Sequence, residues 1–266
     1  MKNTTYLPTG TITTQDYWEE AWRDKDIPDA INPNDDSPEN HYYKVMHTLF
    51  ARALGPSCAP GARLIELGCG GSRWLPYFHR AFGYDVCGID YTTTGLHLSR
   101  SILDNAGVKG EVVQGDLFEP PSNWVEQFDV VVTFGLVEHF TNTSHVVSAC
   151  ARYLRPGGKM ITLVPTMRGL YGVAYRLLRP DVYSKHIPLS RETLSQAHED
   201  AGLSVSRCDY VLGLPGILSA PANTGIASRT AFAVSRLYWK LERSGMGIRP
   251  NRFTSPYALC FATKVL

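Results

Sequence analysis

The chain has 266 residues, 44% of them hydrophobic, enough to bury one good-sized core with appended elements. Its 26 basic and 25 acidic side chains nearly cancel and no run of Lys and Arg stands out. That balance gives no support to a nucleic-acid partner and points instead to a small or neutral one. The six cysteines (Cys58, Cys69, Cys87, Cys150, Cys208, Cys260) are scattered without a C-x-x-C spacing, so reduced thiols and no metal site are expected. No window is apolar enough for a signal peptide or a membrane span, which leads to the expectation of a soluble, cytoplasmic protein without stable membrane insertion.

Residues 1–55 read as an N-terminal helical cap and loop. Trp18 and Trp22 stand at helical spacing, a Pro/Asn/Asp-rich stretch follows from Pro28 to Pro38, and a second helical run, His41 to Leu54, stops at Gly55-Pro56. Residues 56–266 read as the core. Strands are expected at Arg63 to Leu67, Asp85 to Asp90, Glu111 to Gln114, Phe128 to Phe134 and Lys159 to Val164. They alternate with helices at Arg73 to Ala81, Gly95 to Asn105 and Ser144 to Tyr153, a rhythm that predicts an α/β fold with a parallel sheet covered on both faces. After Val164 the rhythm changes. Helical runs at Leu170 to Leu178 and Arg191 to Ala201 precede a strand at Leu203 to Leu212, a long interruption from Gly213 to Pro250 with a helix-like Ala227 to Glu242, and a last strand at Tyr257 to Val265.

Leu64-Ile-Glu-Leu-Gly-Cys-Gly-Gly-Ser72 joins a strand, a tight glycine turn and a helix start, so that free backbone N–H groups converge where a carboxylate or phosphate can sit. A dinucleotide loop would need G-x-G-x-x-G, but Arg73 stands where the third glycine belongs, which argues against an NAD-dependent oxidoreductase. Asp90 closes the next strand, where a carboxylate can accept hydrogen bonds from both hydroxyls of a ribose. Asp116 ends the third strand at the depth of an adenine amino group, with Leu117 and Phe118 offering apolar surface to the ring. The fourth strand ends in the polar pair Glu138 and His139. Asp129 begins that strand, at the opposite end from the crevice, and is assigned a structural part.

Glu66-Leu-Gly-Cys-Gly-Gly71, Gly88-Ile-Asp90, Gln114-Gly-Asp-Leu117, Phe128-Asp129, Leu136-Val-Glu-His139 and Leu154-Arg-Pro-Gly-Gly-Lys159 resemble, in order and spacing, the motifs of the class I S-adenosylmethionine (SAM)-dependent methyltransferases, nearest the small-molecule group. The resemblance covers roughly half the chain and implies a Rossmann-like seven-stranded sheet whose last strand runs antiparallel. It implies that Glu66 orients the methionine end of SAM, that Gly68 and Gly70 allow close backbone approach, that Asp90 holds the ribose and that Asp116 and Leu117 hold the adenine. Cys69 and Tyr91 adjoin these residues and count with the cofactor site, and Phe134, Gly135 and Leu136 line the sulfonium side. Ser72 departs from the glycine that many members carry there, which leaves its hydroxyl either to cap the helix or to touch the ligand.

Transfer to an oxygen of a small-molecule acceptor is the expected reaction, with N- or C-methylation or a non-catalytic SAM-binding protein as alternatives. His139 is the candidate base, since its ordinary pKa lies near neutrality. Glu138, His186, Tyr171, Tyr175 and Arg168 are candidates for facing the acceptor, with an exposed loop position as the equal account of His186 and packing as that of Tyr171, Tyr175 and Arg168. Trp18, Trp22, Tyr42 and Tyr43 either close over the ligands or anchor the cap, and anchoring is the reading taken for the tryptophans. Segments 166–190 and 213–250 are expected to form a lid. A homodimer contact is the other account of 213–250.

Overall fold

The structure, a computed structural model, describes residues 10–214 and 236–265. Seven strands form one sheet in the order β3-β2-β1-β4-β5-β7-β6. They are β1 (Arg63–Leu67), β2 (Asp85–Asp90), β3 (Gly110–Gln114), β4 (Phe128–Phe134), β5 (Leu154–Pro165), β6 (Leu203–Val211) and β7 (Tyr257–Lys264). The first five pair in parallel, and β7 runs antiparallel to both β5 and β6. The chain reverses between β3 and β4, so the carboxyl ends of β1, β2 and β4 meet at a topological switch point, where an open α/β sheet leaves a crevice.

Alternation along each strand supplies both faces of the sheet. Leu64, Val130, Val132 and Ile161 pack on one side with Phe50, Trp74 and Phe78. Ile65, Leu67, Val131 and Met160 pack on the other with Tyr153, Leu194 and Leu203. The helices in chain order are α1 (Gln15–Trp22), α2 (His41–Leu54), α3 (Trp74–Phe82), α4 (Thr93–Asn105), α5 (Thr143–Ala151), α6 (Gly169–Leu178), α7 (Pro180–Tyr183) and α8 (Arg191–Asp200); α1 packs on α4, and α6 and α7 on each other. Gly83, with φ +88°, ends α3 in the left-handed conformation that its position predicts. Among the described residues no helix is long and apolar enough to cross a membrane.

Three differences from expectation have local causes. β5 begins at Leu154, not Lys159, because Leu154 already pairs with Phe128 and the Arg155–Gly158 stretch is taken up as a bulge before Val130 meets Lys159. α5 ends at Ala151, which frees Tyr153 to turn inward and donate its hydroxyl to the Leu117 carbonyl at 3.1 Å. The short α7, absent from the sequence reading, starts on Pro180, a residue preorganised for the first helical position. The helix-like stretch expected over 227–242 is helical at 236–242, while 227–235 lie outside the described residues. Cys69, Cys87, Cys150 and Cys260 are buried free thiols, and Cys58 and Cys208 are half-buried free thiols. Asp129 is structural: it accepts from the Arg63 N–H at 2.8 Å and pairs with Arg155 at 2.7 Å.

His198 locks α8 to the middle of the sheet. Its ring is fully buried, Nδ1 donates to the Leu194 carbonyl at 2.8 Å, and Nε2 lies 2.9 Å from the Thr162 hydroxyl, which donates to it in the neutral ring. Burial pushes its pKa down to about 4. Between pH 6.5 and 4 the unfolded chain therefore binds a proton that the native state refuses, and stability falls as pH falls through that window. The expected size is about 3 kcal/mol. Denaturant unfolding of wild type and His198→Gln at pH 7 and pH 4.5 should show a smaller acid loss in the variant. An equal loss in both proteins excludes the effect.

Candidate active site

Glu66 lies on β1 in register with Gly88 of β2 and is almost wholly buried. The Ser72 hydroxyl donates to Glu66 Oε2 and accepts from the Trp74 and Leu75 N–H groups at 3.1 and 3.2 Å. Ser72 thus caps α3 and holds the carboxyl at once, and it also lines the cavity beside Glu66. Burial pushes the Glu66 pKa up to about 8; the Ser72 hydrogen bond opposes the shift and the Asp90 charge adds to it. This group is left short of a positive partner.

Asp90, at the tip of β2, accepts from the Gly70 N–H (2.8 Å) through Oδ2 and from the Thr92 N–H (2.8 Å) and hydroxyl (2.6 Å) through Oδ1. Burial raises its pKa against these bonds. A carboxylate has about four lone-pair positions, so one on Oδ2 remains for a ligand hydroxyl, where both hydroxyls of a ribose were expected. Asp116 accepts from the Phe118 N–H at 2.9 Å, which fixes the turn after β3 beside Leu117.

The tryptophans do more than anchor the cap. The Trp22 indole lies flat on the glycine turn: a Cβ on Gly70 would come within 2.7 Å of its Nε1, one on Gly71 within 2.9 Å of its ring, and one on Gly95 within 2.9 Å of it. The main chain at Gly71 donates to the Gly95 carbonyl at 3.1 Å, so α4 packs directly on the turn and Gly95 takes the close-packing part for which Arg73 is unsuited. Glu19 fastens α1 there by accepting from the Thr93 and Thr94 N–H groups, at 2.7 and 2.9 Å, at the start of α4. No local signal marks this contact in the sequence. The three glycines against one indole become visible only once the fold brings them together.

The end of β4 turns through Gly135, at φ +70°, into a short 3-10 helix, Val137–His139. Glu138 is fully buried there, and neither of its oxygens has a hydrogen-bond partner among the described residues. Burial pushes its pKa up to about 8. His139 Nδ1 lies 2.5 Å from the Lys185 carbonyl and must donate to it, so Nε2 is the bare nitrogen, 3.8 Å from Glu138 Oε1. Burial and the neighbouring His186 push the His139 pKa down to about 4. His186, from the loop after α7, stands 4.7 Å from His139 between ring centroids and donates its own Nδ1–H to the Val182 carbonyl at 2.8 Å.

One cavity of about 490 Å³ runs from Glu66, Asp90, Tyr91, Asp116 and Leu117, past Phe134, Gly135 and Leu136, to Glu138, His139 and His186. Gly68 and Gly70 form its floor, and Trp18, Trp22, Tyr42 and Tyr43 line it, which corrects the reading of the tryptophans as anchors alone. Thr11, Gln15 and Pro165 also line it and were missed, having no motif of their own. Cys69 does not line it: its thiol is buried over Gly88, where a Cβ would come within 2.6 Å of the sulfur. Tyr171 and Tyr175 do not line it either. On α6 they pack on each other at 4.8 Å, one turn apart, because their helical spacing serves packing. Arg168 lines a smaller cavity beneath α6. Of the expected lid, 166–190 supplies His186, and residues 215–235 lie outside the described residues.

The seven-stranded order with β7 reversed, the glycine turn after β1 and the acidic tips of β1 and β2 define a class I SAM-dependent methyltransferase. A sequence model of a methyltransferase domain matches residues 39–207, more than half of the chain, and the chain belongs to that methyltransferase family. The ubiquinone biosynthesis O-methyltransferase of Klebsiella pneumoniae is 31% identical over 100 residues, which are 38% of this chain and 41% of that protein. The protein of the same description from Aromatoleum aromaticum is 32% identical over 100 residues, 38% of this chain and 42% of its own length. The match thus spans about two-fifths of these curated relatives. Geranyl diphosphate C-methyltransferase from Streptomyces coelicolor A3(2) shares the fold with a TM-score of 0.63 at 16% identity, over 94% of this chain and 98% of that one. The cyclase SpnF shares it with a TM-score of 0.60 at 17% identity, over 91% of this chain and 85% of its own. A fold common to a methyltransferase and a cyclase leaves the acceptor chemistry to the site.

The close packing at Gly95 is testable by itself. A methyl group there would meet the Thr92 hydroxyl at 2.4 Å and the Gly70 backbone at 3.0 Å, and backbone cannot swing aside. Gly95→Ala should cost about 1–3 kcal/mol, seen as a lower denaturant midpoint at unchanged slope. An unchanged midpoint means that α4 does not rest on the turn.

Proposed function

We propose that the protein transfers the methyl group of SAM to an oxygen of a small, largely apolar acceptor. The observation that carries this reading is the continuity of the cavity, which both the buried carboxyls of Glu66 and Asp90 and the Glu138-His139-His186 group line. Bound SAM supplies a methyl carbon made electrophilic by the sulfonium. The chain has to align an acceptor with that carbon and exclude water.

In this reading Glu66, short of a cation, takes the ammonium of the methionine end, and Asp90 accepts one ribose hydroxyl through Oδ2. Asp116 and Leu117 border the adenine, and the glycine turn approaches the ligand at Gly68, beside the part that Trp22 covers. Phe134, Gly135 and Leu136 flank the sulfonium, while Trp18, Tyr42, Tyr43 and Trp74 provide an aromatic wall for the acceptor. His139, with Glu138 and His186 beside it, stands where the acceptor's oxygen is turned toward the methyl group. The description of the curated relatives as O-methyltransferases supports oxygen as the receiving atom.

Transfer of isotopically labelled methyl from SAM to matched phenols, amines and carbon nucleophiles tests the reading, with the product's methyl position read by NMR. A methoxy product is expected, and methyl found on nitrogen or carbon overturns the oxygen assignment. The donor end has its own test. Near pH 7 most of the Glu66 population holds a proton that an incoming ammonium expels. Calorimetry with S-adenosylhomocysteine in buffers of different ionisation enthalpy should show close to one proton released by wild type and none by Glu66→Gln. Equal release from both would remove Glu66 from the ammonium site.

A further inference from the structure

We propose that Glu138, His139 and His186 bind one first-row divalent metal ion of the Zn²⁺ or Co²⁺ kind at the acceptor end of the cavity. One ligand atom from each residue lies within 4.8 Å of the other two. Around an ion bound at about 2.0–2.2 Å, ligands stand roughly 3–4 Å apart, so side-chain rotations of about an ångström close the set.

Three features fit a metal better than simple packing. Both imidazoles spend Nδ1–H on a backbone carbonyl, of Lys185 and of Val182, which fixes the tautomer that leaves Nε2 bare, the arrangement that metal-bound histidines use. The carboxyl of Glu138 is fully buried and neither of its oxygens has a partner among the described residues, a costly state for a polar group unless a ligand completes it. The loop that carries His186 is also pinned in place, since the Ile187 N–H donates to the Glu138 carbonyl at 2.7 Å. Two nitrogens and one carboxylate suit a borderline ion better than Mg²⁺, which prefers oxygen, and they leave positions open toward the cavity.

The charge count assigns the site a task that rests on the oxygen-acceptor reading above. A divalent ion with one carboxylate and two neutral imidazoles carries a net single positive charge, which an anionic acceptor oxygen neutralises. The acceptor hydroxyl gives its proton to water as its oxygen joins the ion. That oxygen then bonds the methyl carbon while the carbon–sulfur bond breaks with its electron pair staying on sulfur. A methyl ether and S-adenosylhomocysteine result.

Metal-stripped full-length protein titrated with Co²⁺ and followed by visible absorption, with Zn²⁺ and Mg²⁺ in parallel calorimetry, tests the site. One Co²⁺ per chain is expected, with bands of nitrogen and oxygen ligation, and Zn²⁺ binding tighter than Mg²⁺. Glu138→Gln and His186→Ala should each weaken Co²⁺ binding at least tenfold while leaving S-adenosylhomocysteine affinity unchanged, which separates loss of the site from misfolding. Metal-free Glu138→Gln should unfold at or above the wild-type temperature, because a buried unpartnered carboxyl is gone, and Zn²⁺ should raise the unfolding temperature of wild type alone. No saturable Co²⁺ or Zn²⁺ binding, or binding that Glu138→Gln leaves intact, as the half-buried thiols Cys58 and Cys208 would give, overturns the proposal. O-methylation by protein that binds no metal overturns the site and keeps the oxygen reading. Metal bound at these residues with methyl delivered to nitrogen or carbon keeps the site and overturns that reading.

Discussion

Two carboxyl groups buried at the tips of adjacent parallel strands impose the constraint on which the rest of this site depends. A carboxylate removed from water must be met by donors or by a cation. Asp90 is met by the Gly70 and Thr92 N–H groups and the Thr92 hydroxyl, which sets the path of the glycine turn and the start of α4. Glu66 is met by the Ser72 hydroxyl, which at the same time caps α3. Turn, helix starts and strand tips are therefore one hydrogen-bonded unit, and neither carboxyl can be moved without reshaping the others. Because Glu66 receives one donor where Asp90 receives three, the unit is incomplete on the Glu66 side, and its deficit is for positive charge.

That unit also explains why the N-terminal residues belong to the site. The turn is bare of side chains at Gly70 and Gly71, and bare backbone in a crevice has to be covered. Trp22 covers it, and Glu19 holds α1 down by capping α4 from outside. Farther along, the Ile12 N–H donates to the His139 carbonyl at 2.8 Å, so the same segment is tied to the acceptor end. One short stretch of chain thus bridges both ends of the cavity.

The parts legible in the sequence are those whose signals are local. β1 to β4, Gly83 as a helix stop and Asp90 and Asp116 at strand tips follow from apolar runs, glycine positions and the ordered motifs, each read within a few residues. The Trp22 contact was not legible, because it joins three glycines scattered over some 25 positions to a residue about fifty positions upstream. The bulged start of β5 was not legible either, since Pro156-Gly157-Gly158 reads equally as a helix stop or a strand entry until Leu154 finds Phe128. Tyr171 and Tyr175, whose spacing leaves recognition and packing equally open in the sequence, pack one ring on the other.

Glu138, His139 and His186 combine both cases. Glu138 and His139 are neighbours that any motif search finds, but a Glu-His pair by itself specifies neither a base nor a ligand. The meaning of the pair depends on a third residue about fifty positions later, and on two backbone carbonyls, of Val182 and Lys185, that fix which ring nitrogens are bare. A base needs one nitrogen that can keep a proton. Here two nitrogens without hydrogen converge on a carboxyl that has no partner among the described residues. That convergence is what the proposed ion rests on, and it parallels the Glu66 end of the cavity, where a buried carboxyl is likewise left short of partners.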